Sequence, residues 1–463
     1  MSSSRPAVLE ITILPTSLSL TELFVQLSSK PYATLFDSAE SDAGRFSIAV
    51  WDPVTVIEAR QGKVTITNTK TGEVQPALAD PFTTVHREVE RRLGSTNIVH
   101  DLPQTDVDAL PFLIGAAGLA GYDTGRYYEA LPNRAKGNYL CPDFAVGIYE
   151  QSLIEDKQRG IIYACKLSQH PVFSLQQMPG RRAPFRLCSE WKSNLTQHNY
   201  LTALTRIRQY LQAGDCYQVN LAQRFTAEYE GSEFSAYQAL RQANRAPFSA
   251  FLRLPNATVM SISPERFLSV KGGIVETKPI KGTRPRYKNK RDDENSAKAL
   301  LSAEKDRAEN LMIVDLLRND LSKHCLPGSV DVPSLFALES YKAVHHMVST
   351  VVGKLKPSSS AMALLAGAFP GGSITGAPKI RAMEIIDELE PHRRNVYCGS
   401  IFYLGLRQDM DSSILIRTLL AENGYLHCWA GGGIVIDSVA TEEYQETLDK
   451  VSRILPVLEK GVD

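Results

Sequence analysis

The chain has few cysteines, and none stands where cysteines act together. Cys141, Cys165, Cys188, Cys216, Cys325, Cys398 and Cys428 are scattered, odd in number and never spaced as C-x-x-C. That spacing argues against a disulfide framework and against a thiolate zinc site. Excess charge of either sign is also missing. The 51 Lys and Arg residues balance 51 Asp and Glu, so no global field recruits nucleic acid or an anionic membrane. Any attraction for an anion must be local. No apolar run reaches the roughly 18 residues of a membrane span, and Met1–Pro6 carry no signal-peptide pattern. The expected location is a reducing cytoplasm. There is no G-x-x-x-x-G-K-[ST] phosphate loop.

What is present is an ordinary globular composition, 43% hydrophobic and 22% charged over 463 residues. Two regions stand out, 7–167 and 191–458, without a repeat. The first is rich in short strand-like runs (Val8–Leu14, Lys63–Thr67, Phe144–Tyr149) and has one helix pattern at Phe82–Leu93. Residues 168–190 read as an irregular connection with a partial helix. In the second region Thr196 caps a helix from Gln197 to Ala213, which Gly214 stops. Further helices fit Glu294–Arg318, Pro378–Leu389 and Glu442–Leu455. Alternation from Tyr217 to Phe225 predicts a strand whose polar face carries Gln218 and Asn220. More strands fit Ala257–Ile262, Ser400–Leu406, Ser413–Leu420 and Leu426–Gly431. Hairpin spacings outnumber strand–helix alternations, which predicts an α+β fold with large antiparallel sheets.

Several runs carry chemistry. Lys281 lies in Lys278-Pro279-Ile280-Lys281-Gly282-Thr283-Arg284-Pro285, which reads as a turn following a short strand. A lysine near other cations (here Lys278, Arg284 and Arg286) becomes a nucleophile when partly desolvated; the alternative is a solvated basic turn. Two helices carry acids three apart, Asp306 with Glu309 and Glu443 with Glu446, and Lys450 lies one turn beyond the second pair. Carboxylates without His or Cys at ligand spacing suit Mg²⁺, and they equally suit surface charge pairing. Pro370–Lys379 is a Gly-rich turn running into a helix start, which is an anion cradle or an ordinary cap. Gly431, Gly432 and Gly433 end a strand where backbone can approach a ligand. His345 and His346 flank a strand-like run, as core or as functional imidazoles.

Taken together, GDCYQVNLAQRF (214–225), ISPERF (262–267), PIKGTRPR (279–286), KDRAENLMIVDLLRND (305–320), FPGGSITGAPK (369–379), MDSSILIRT (410–418), AGGGIV (430–435) and EYQETLDKV (443–451) are specific. The chain resembles the chorismate-utilising enzymes, which include anthranilate synthase component I, isochorismate synthase and salicylate synthase. A weaker likeness runs through LFDSAESDAGRFSI (35–48) and GLAGYDTGRYYEALP (118–132). The resemblance implies two mostly antiparallel sheets packed as a sandwich with outer helices and the active site in a cleft. It implies Mg²⁺ on Glu309 and Glu446, with Asp306 and Glu443 holding metal-bound water. Arg417, Tyr403 and the backbone of Gly431, Gly432 and Gly433 would face substrate carboxylates, with Lys450 close by. His346 would sit near the leaving group, Glu265 would act as general acid or base, and Thr283 would contact substrate beside Lys281. Ser38, Arg45 and Phe46 fall where relatives form an amino-acid pocket that can hold tryptophan.

Two positions discriminate within the family. Water-adding members carry a lysine base where this chain has Gln218, and anthranilate synthases carry alanine where it has Lys281. Both point to the branch that exchanges a ring hydroxyl for an amine. The rivals are anthranilate synthesis, marked by pyruvate release, and a non-catalytic sensor of chorismate or amino acids. None of the cysteines lies in a G-x-C-x-G nucleophile turn, so a separate glutamine amidotransferase subunit is the expected ammonia source. The isolated chain is therefore predicted to turn over chorismate with ammonium salts, faster as pH rises and frees ammonia, and to ignore glutamine. Glutamine-dependent turnover by the purified chain alone would refute this.

Overall fold

The alternation that begins at Tyr217 does become a strand, and it runs beyond the pattern, over Gln218–Glu230. Tyr425–Ile434 pairs with it antiparallel, from Val219 opposite Ile434 to Glu228 opposite Tyr425. The chain is described by a computed structural model over residues 6–39, 44–171, 173, 184–341 and 344–462. Among these residues the strands form a 14-stranded and a 12-stranded sheet. The named strands pair antiparallel except Val8–Ile13, which runs parallel to Asn97–Val99. One apolar core joins the sheets, taking Ile48, Val50 and Leu252 from the first and Ile57, Phe144 and Leu268 from the second. The expected α+β architecture of two large sheets with helices is the one found.

Strands from both sequence regions build both sheets. Thr34–Asp37 pairs with Phe248–Arg253 in the first, and Gly115–Ala120 with Ser400–Gly405 in the second. Helices cover the outside. Leu20–Phe24, Glu233–Asn244 and Leu455–Glu459 bury Phe24, Phe234, Tyr237 and Leu458 against Phe251 and Leu419. Gln197–Ala213 and Lys379–Leu389 bury Ile207, Ile385 and Ile386 against Val219 and Leu221. Thr196 caps the first of these by accepting from the Asn199 N–H, and Gly214 ends it in the left-handed region. No described helix is long and apolar enough to cross a membrane.

The structure corrects several boundaries. The helix expected over Glu294–Arg318 is two, Lys290–Leu301 and Glu304–Ser322, broken at Ser302 and Ala303. Periodicity alone hides such a break, because only two residues separate the helices and neither is Gly or Pro. The strand expected over Ser413–Leu420 is also two. Met410–Ile414 belongs to the second sheet and Thr418–Glu422 to the first, and Arg417 takes a left-handed φ of 51° at the crossing. Pro378 is an extended N-cap rather than a first-turn residue, so the helix expected over Pro378–Leu389 is Lys379–Leu389. The helix expected over Glu442–Leu455 is Ala440–Val451, and Leu455 and Pro456 open a further helix, Leu455–Glu459. The partial helix expected within 168–190 falls largely outside the described residues.

The segment 376–377 pairs with Gln218 and Val219 and so fixes the approach of the Gly-rich turn to the first sheet. Gly376 has φ of 144°, and a Cβ there would lie 2.1 Å from the Gln218 carbonyl oxygen. Backbone cannot yield as a flexible side chain would. Gly376→Ala is predicted to lower stability by about 1–3 kcal/mol, read as a shift in the denaturant midpoint. An unchanged midpoint would show that this pairing does not hold the turn.

Candidate active site

Lys281 is not in a turn. It lies in the strand Ile280–Pro285, opposite Met347 of Val344–Lys354, just before a register shift at Gly282. Gly282 has φ of 73°, and a Cβ there would strike Leu300 and Asp306, so the bulge demands glycine. The bulge helps aim the Lys281 side chain into a cavity of about 500 Å³ bounded by the end strands of both sheets. There its Nζ lies 3.5 Å from the Ser373 carbonyl oxygen, within electrostatic reach of Glu265 and Glu309. The cations that the sequence places around it are paired elsewhere: Lys278 with Glu339, Arg284 with Asp306, Arg286 with Asp293. The charged groups that feel this amine are the Glu265 and Glu309 carboxylates.

Glu265 sits between the strands Thr258–Ser263 and Arg266–Lys271 and accepts from the Ser373 hydroxyl at 3.2 Å. Burial pushes its carboxyl up to about 7, against the pull of Lys281, Ser373 and Lys450. Near neutral pH it is poised to give or take a proton. Ser373 thus touches the expected nucleophile through its carbonyl and the expected acid through its hydroxyl. His346 is opposite Thr283, with its Nδ1 2.9 Å from the Thr283 Oγ1. Burial, then the Arg417 charge, drives this imidazole down to about 4, so it is neutral at physiological pH.

The acidic pairs meet across the same cavity. Glu309 comes from Glu304–Ser322 and Glu446 from Ala440–Val451, with Asp306 and Glu443 beside them. Cations hold three of them: Arg284 on Asp306 at 3.2 Å, Lys305 on Glu443 at 3.2 Å, and Lys450 on Glu446 at 2.6 Å. Glu309 has no ion pair or hydrogen bond on its carboxylate among the described residues. Burial raises its pKa, and Lys281 and Lys305 oppose the rise. No three acidic, His or Cys side chains among the described residues form a ready metal cage. The donors are nonetheless all oxygen, and Mg²⁺ asks for only one or two protein carboxylates. An unpartnered glutamate beside other acids fits that chemistry.

Arg417 faces the cavity from its strained crossing and has no carboxylate partner among the described residues. Burial lowers its pKa. A desolvated cation without a partner is a site for an anion. Gly431 and Gly433 line the cavity, and Lys450 donates to the Gly431 carbonyl at 2.8 Å. Gly432 is out of phase with them: a Cβ there would lie 3.1 Å from the Glu443 carboxylate, so it backs the acids rather than the cavity. Tyr403 is not in this site. Strand alternation points it into a different cavity, where its ring meets Phe36 and Phe112. Tyr397 lines the site instead, stacked on Trp429 at 6.2 Å. Sequence reading missed Tyr397, Ser373, Lys305, Trp429 and Asn220 as site residues. Ser373, Lys305 and Asn220 stood inside runs already singled out; nothing in sequence flags Tyr397.

Ser38, Arg45 and Phe46 come together in the other cavity, about 330 Å³, with Tyr403, Phe248, Arg266 and Asp411. Arg45 is held by Asp156, and Ser38 receives the Lys157 Nζ. Pro264 and Ile280 line both cavities, so the two share a wall.

The buried Glu265 carries a pH signature. Its ordinary value is 4.5 and its folded value about 7. Between these the folded chain holds a proton that the unfolded chain has released, so burying Glu265 lowers stability as pH rises through that window. Glu265→Gln removes this penalty. The variant should gain about 3 kcal/mol on wild type between pH 4.5 and 7.5, measured by denaturant unfolding. A pH-independent difference would place the Glu265 carboxyl in water.

Comparison with known proteins gives this geometry a family. The model of the chorismate binding enzymes matches residues 33–456. Aminodeoxychorismate synthase component 1 of Salmonella typhimurium is 48% identical over 94% of this chain and 95% of its own length. The Escherichia coli K12 protein of the same name is 47% identical over 99% of this chain and 100% of its own length. Among solved structures, anthranilate synthase component I from Streptococcus pneumoniae superposes with a TM-score of 0.77 at 30% identity, over 96% of this chain and 99% of that one. With the family model spanning residues 33–456 and relatives 47–48% identical over nearly its whole length, this chain belongs to the chorismate binding enzyme family.

Proposed function

We propose that this chain converts chorismate and ammonia into 4-amino-4-deoxychorismate, as the names of its relatives suggest, and receives the ammonia from a glutamine amidotransferase partner. The observation that carries the reading is the Lys281 amine inside the cleft, at the Ser373 carbonyl and facing Glu265 and Glu309. A pure water-adding or anthranilate-forming site needs no amine there.

The groups divide the work. Arg417 and the Gly431 and Gly433 backbone bind the substrate carboxylates, and Tyr397 with Trp429 walls the ring. The Lys281 lone pair bonds to the ring carbon adjacent to the carboxylate-bearing one. The two ring double bonds shift, and the ring hydroxyl leaves as water with the proton of Glu265. Ammonia then bonds at the vacated carbon, the double bonds shift back, and the lysine leaves with its electron pair. Glu265 recovers its proton from the new amine. Two displacements replace one difficult substitution. Glu309 and Glu446 would hold Mg²⁺, with Asp306 and Glu443 bound through water, and the ion would neutralise substrate carboxylate charge. The neutral His346 keeps its ring beside Thr283, near the leaving group. The second cavity, with Ser38, Arg45 and Phe46, has the mixed apolar and charged lining that suits an amino acid such as tryptophan.

The decisive experiment supplies chorismate and Mg²⁺ with and without ammonia. With ammonia, the product should retain the enolpyruvyl group; release of pyruvate with a fluorescent aromatic would favour anthranilate synthesis instead. Without ammonia, intact-protein mass spectrometry after acid quench should show chorismate-derived mass on Lys281, absent in Lys281→Ala. That variant need not lose turnover, because ammonia can attack directly in the vacated space. An adduct on another residue would leave Lys281 an electrostatic role only.

A further inference from the structure

Behind the cleft lies a fully buried ion pair that the chemistry above does not use. Arg394 is 1% exposed and gives Glu390 two hydrogen bonds, at 3.0 and 2.7 Å. Its remaining donors go to the cleft wall: the Ile374 carbonyl at 2.9 Å, the Asn220 carbonyl at 3.0 Å and the Asn220 side-chain oxygen at 3.1 Å. Its guanidinium also lies over the rings of Tyr122 and Tyr397. Glu390 in turn accepts from the Ala222 N–H, two residues along the same strand as Asn220.

This fixes which way Asn220 points. A guanidinium only donates, so the side of the amide that meets Arg394 must be its oxygen. The planar amide then carries its NH₂ away from Arg394. Asn220 lines the cleft, and its Nδ2 has no hydrogen-bond partner among the described residues. Nor is that nitrogen among the sealed, unsatisfied atoms, as both amide atoms of neighbouring Gln218 are. Across the ladder stands Gly433, which puts no side chain over it. A donor oriented by a buried charge pair and left open to the cavity is a pre-organised contact for an acceptor.

We propose that Asn220 is a substrate-binding residue whose amide N–H donates to a chorismate carboxylate, and that the Arg394–Glu390 pair is the positioning device that aims it. The proposal rests on the chorismate reading of the cleft. Carboxylate oxygens are the strongest acceptors that chorismate offers, and a hydrogen bond to a charged group is the kind whose loss is felt most.

The test is a kinetic split with a binding control. Asn220→Asp keeps the shape and an oxygen for Arg394 but turns the open donor into an anion. It should raise the chorismate KM, and the Kd by titration calorimetry, about ten- to a hundredfold. Its kcat should stay within a few-fold and its melting temperature should not fall. Asn220→Ser, which cannot reach the cavity, should raise KM less and keeps the test available if the Asp variant misfolds. Arg394→Lys should raise KM in the wild-type background and add nothing further in Asn220→Ser, because both changes remove one contact. A wild-type chain that does not bind chorismate overturns the functional reading and this proposal with it. A wild-type chain that binds chorismate, beside an Asn220→Asp variant with KM within twofold, overturns this proposal alone. Additive effects of Arg394→Lys and Asn220→Ser overturn the positioning role.

Discussion

A charge with no access to water must be met by partners inside the protein, and Arg394 is where this chain meets that constraint. Its guanidinium gathers Glu390, the strand that carries Asn220, the Gly-rich segment that carries Ile374, and the Tyr122 and Tyr397 rings. Removing one partner from such a pair costs roughly 3–5 kcal/mol, because the other charge is left stranded. Apolar packing could fill the same volume without specifying where the pieces sit. The ion pair specifies it, because every donor of the planar fork needs an acceptor in one direction. Three elements of the cleft wall are thereby held in register from behind.

The cleft itself is organised by which charges are satisfied and which are not. A chain with no net charge attracts a dicarboxylate only through local arrangement. Most cations near the site are committed: Lys305 to Glu443, Lys450 to Glu446, Arg284 to Asp306. Among the described residues Arg417 and Lys281 have no carboxylate in ion-pair contact, while Glu309 has no cation. These unsatisfied groups mark where an anionic substrate, a reacting carbon and a divalent cation would find their counterparts. Glu265 completes the set, since burial holds it at about 7 beside a lysine that would otherwise keep it ionised.

Single residues decided matters that pattern could not. Ser413–Leu420 reads as one strand because its apolar residues are continuous, yet Arg417 breaks it with a left-handed backbone and sends its halves to different sheets. The resemblance points to Tyr403, yet Tyr397 is the tyrosine that lines the cleft. Tyr403 is turned away by its strand Ser400–Gly405, whereas Tyr397, in the turn before that strand, stacks on Trp429. The cations flanking Lys281 are its neighbours in sequence, but each is taken by an acid of its own: Lys278 by Glu339, Arg284 by Asp306 and Arg286 by Asp293.

The sequence alone determined the fold class, the strand of Gln218 and Asn220, the helix between Thr196 and Gly214, and the paired acids, lysine and glycines that the cleft brings together. Those are local statements: period, capping chemistry, and runs long enough to be specific. Only the tertiary structure decided that Lys281 lies in a bulged strand, that Gly432 backs the acids while Gly431 and Gly433 line the cavity, and that Ser373 joins Lys281 to Glu265. It also decided that Tyr403 joins Ser38, Arg45 and Phe46 in the second cavity rather than facing the cleft. The reason is physical. Which face a residue presents depends on sheet register, and register is set by pairings between segments hundreds of residues apart, of which a local pattern carries no trace.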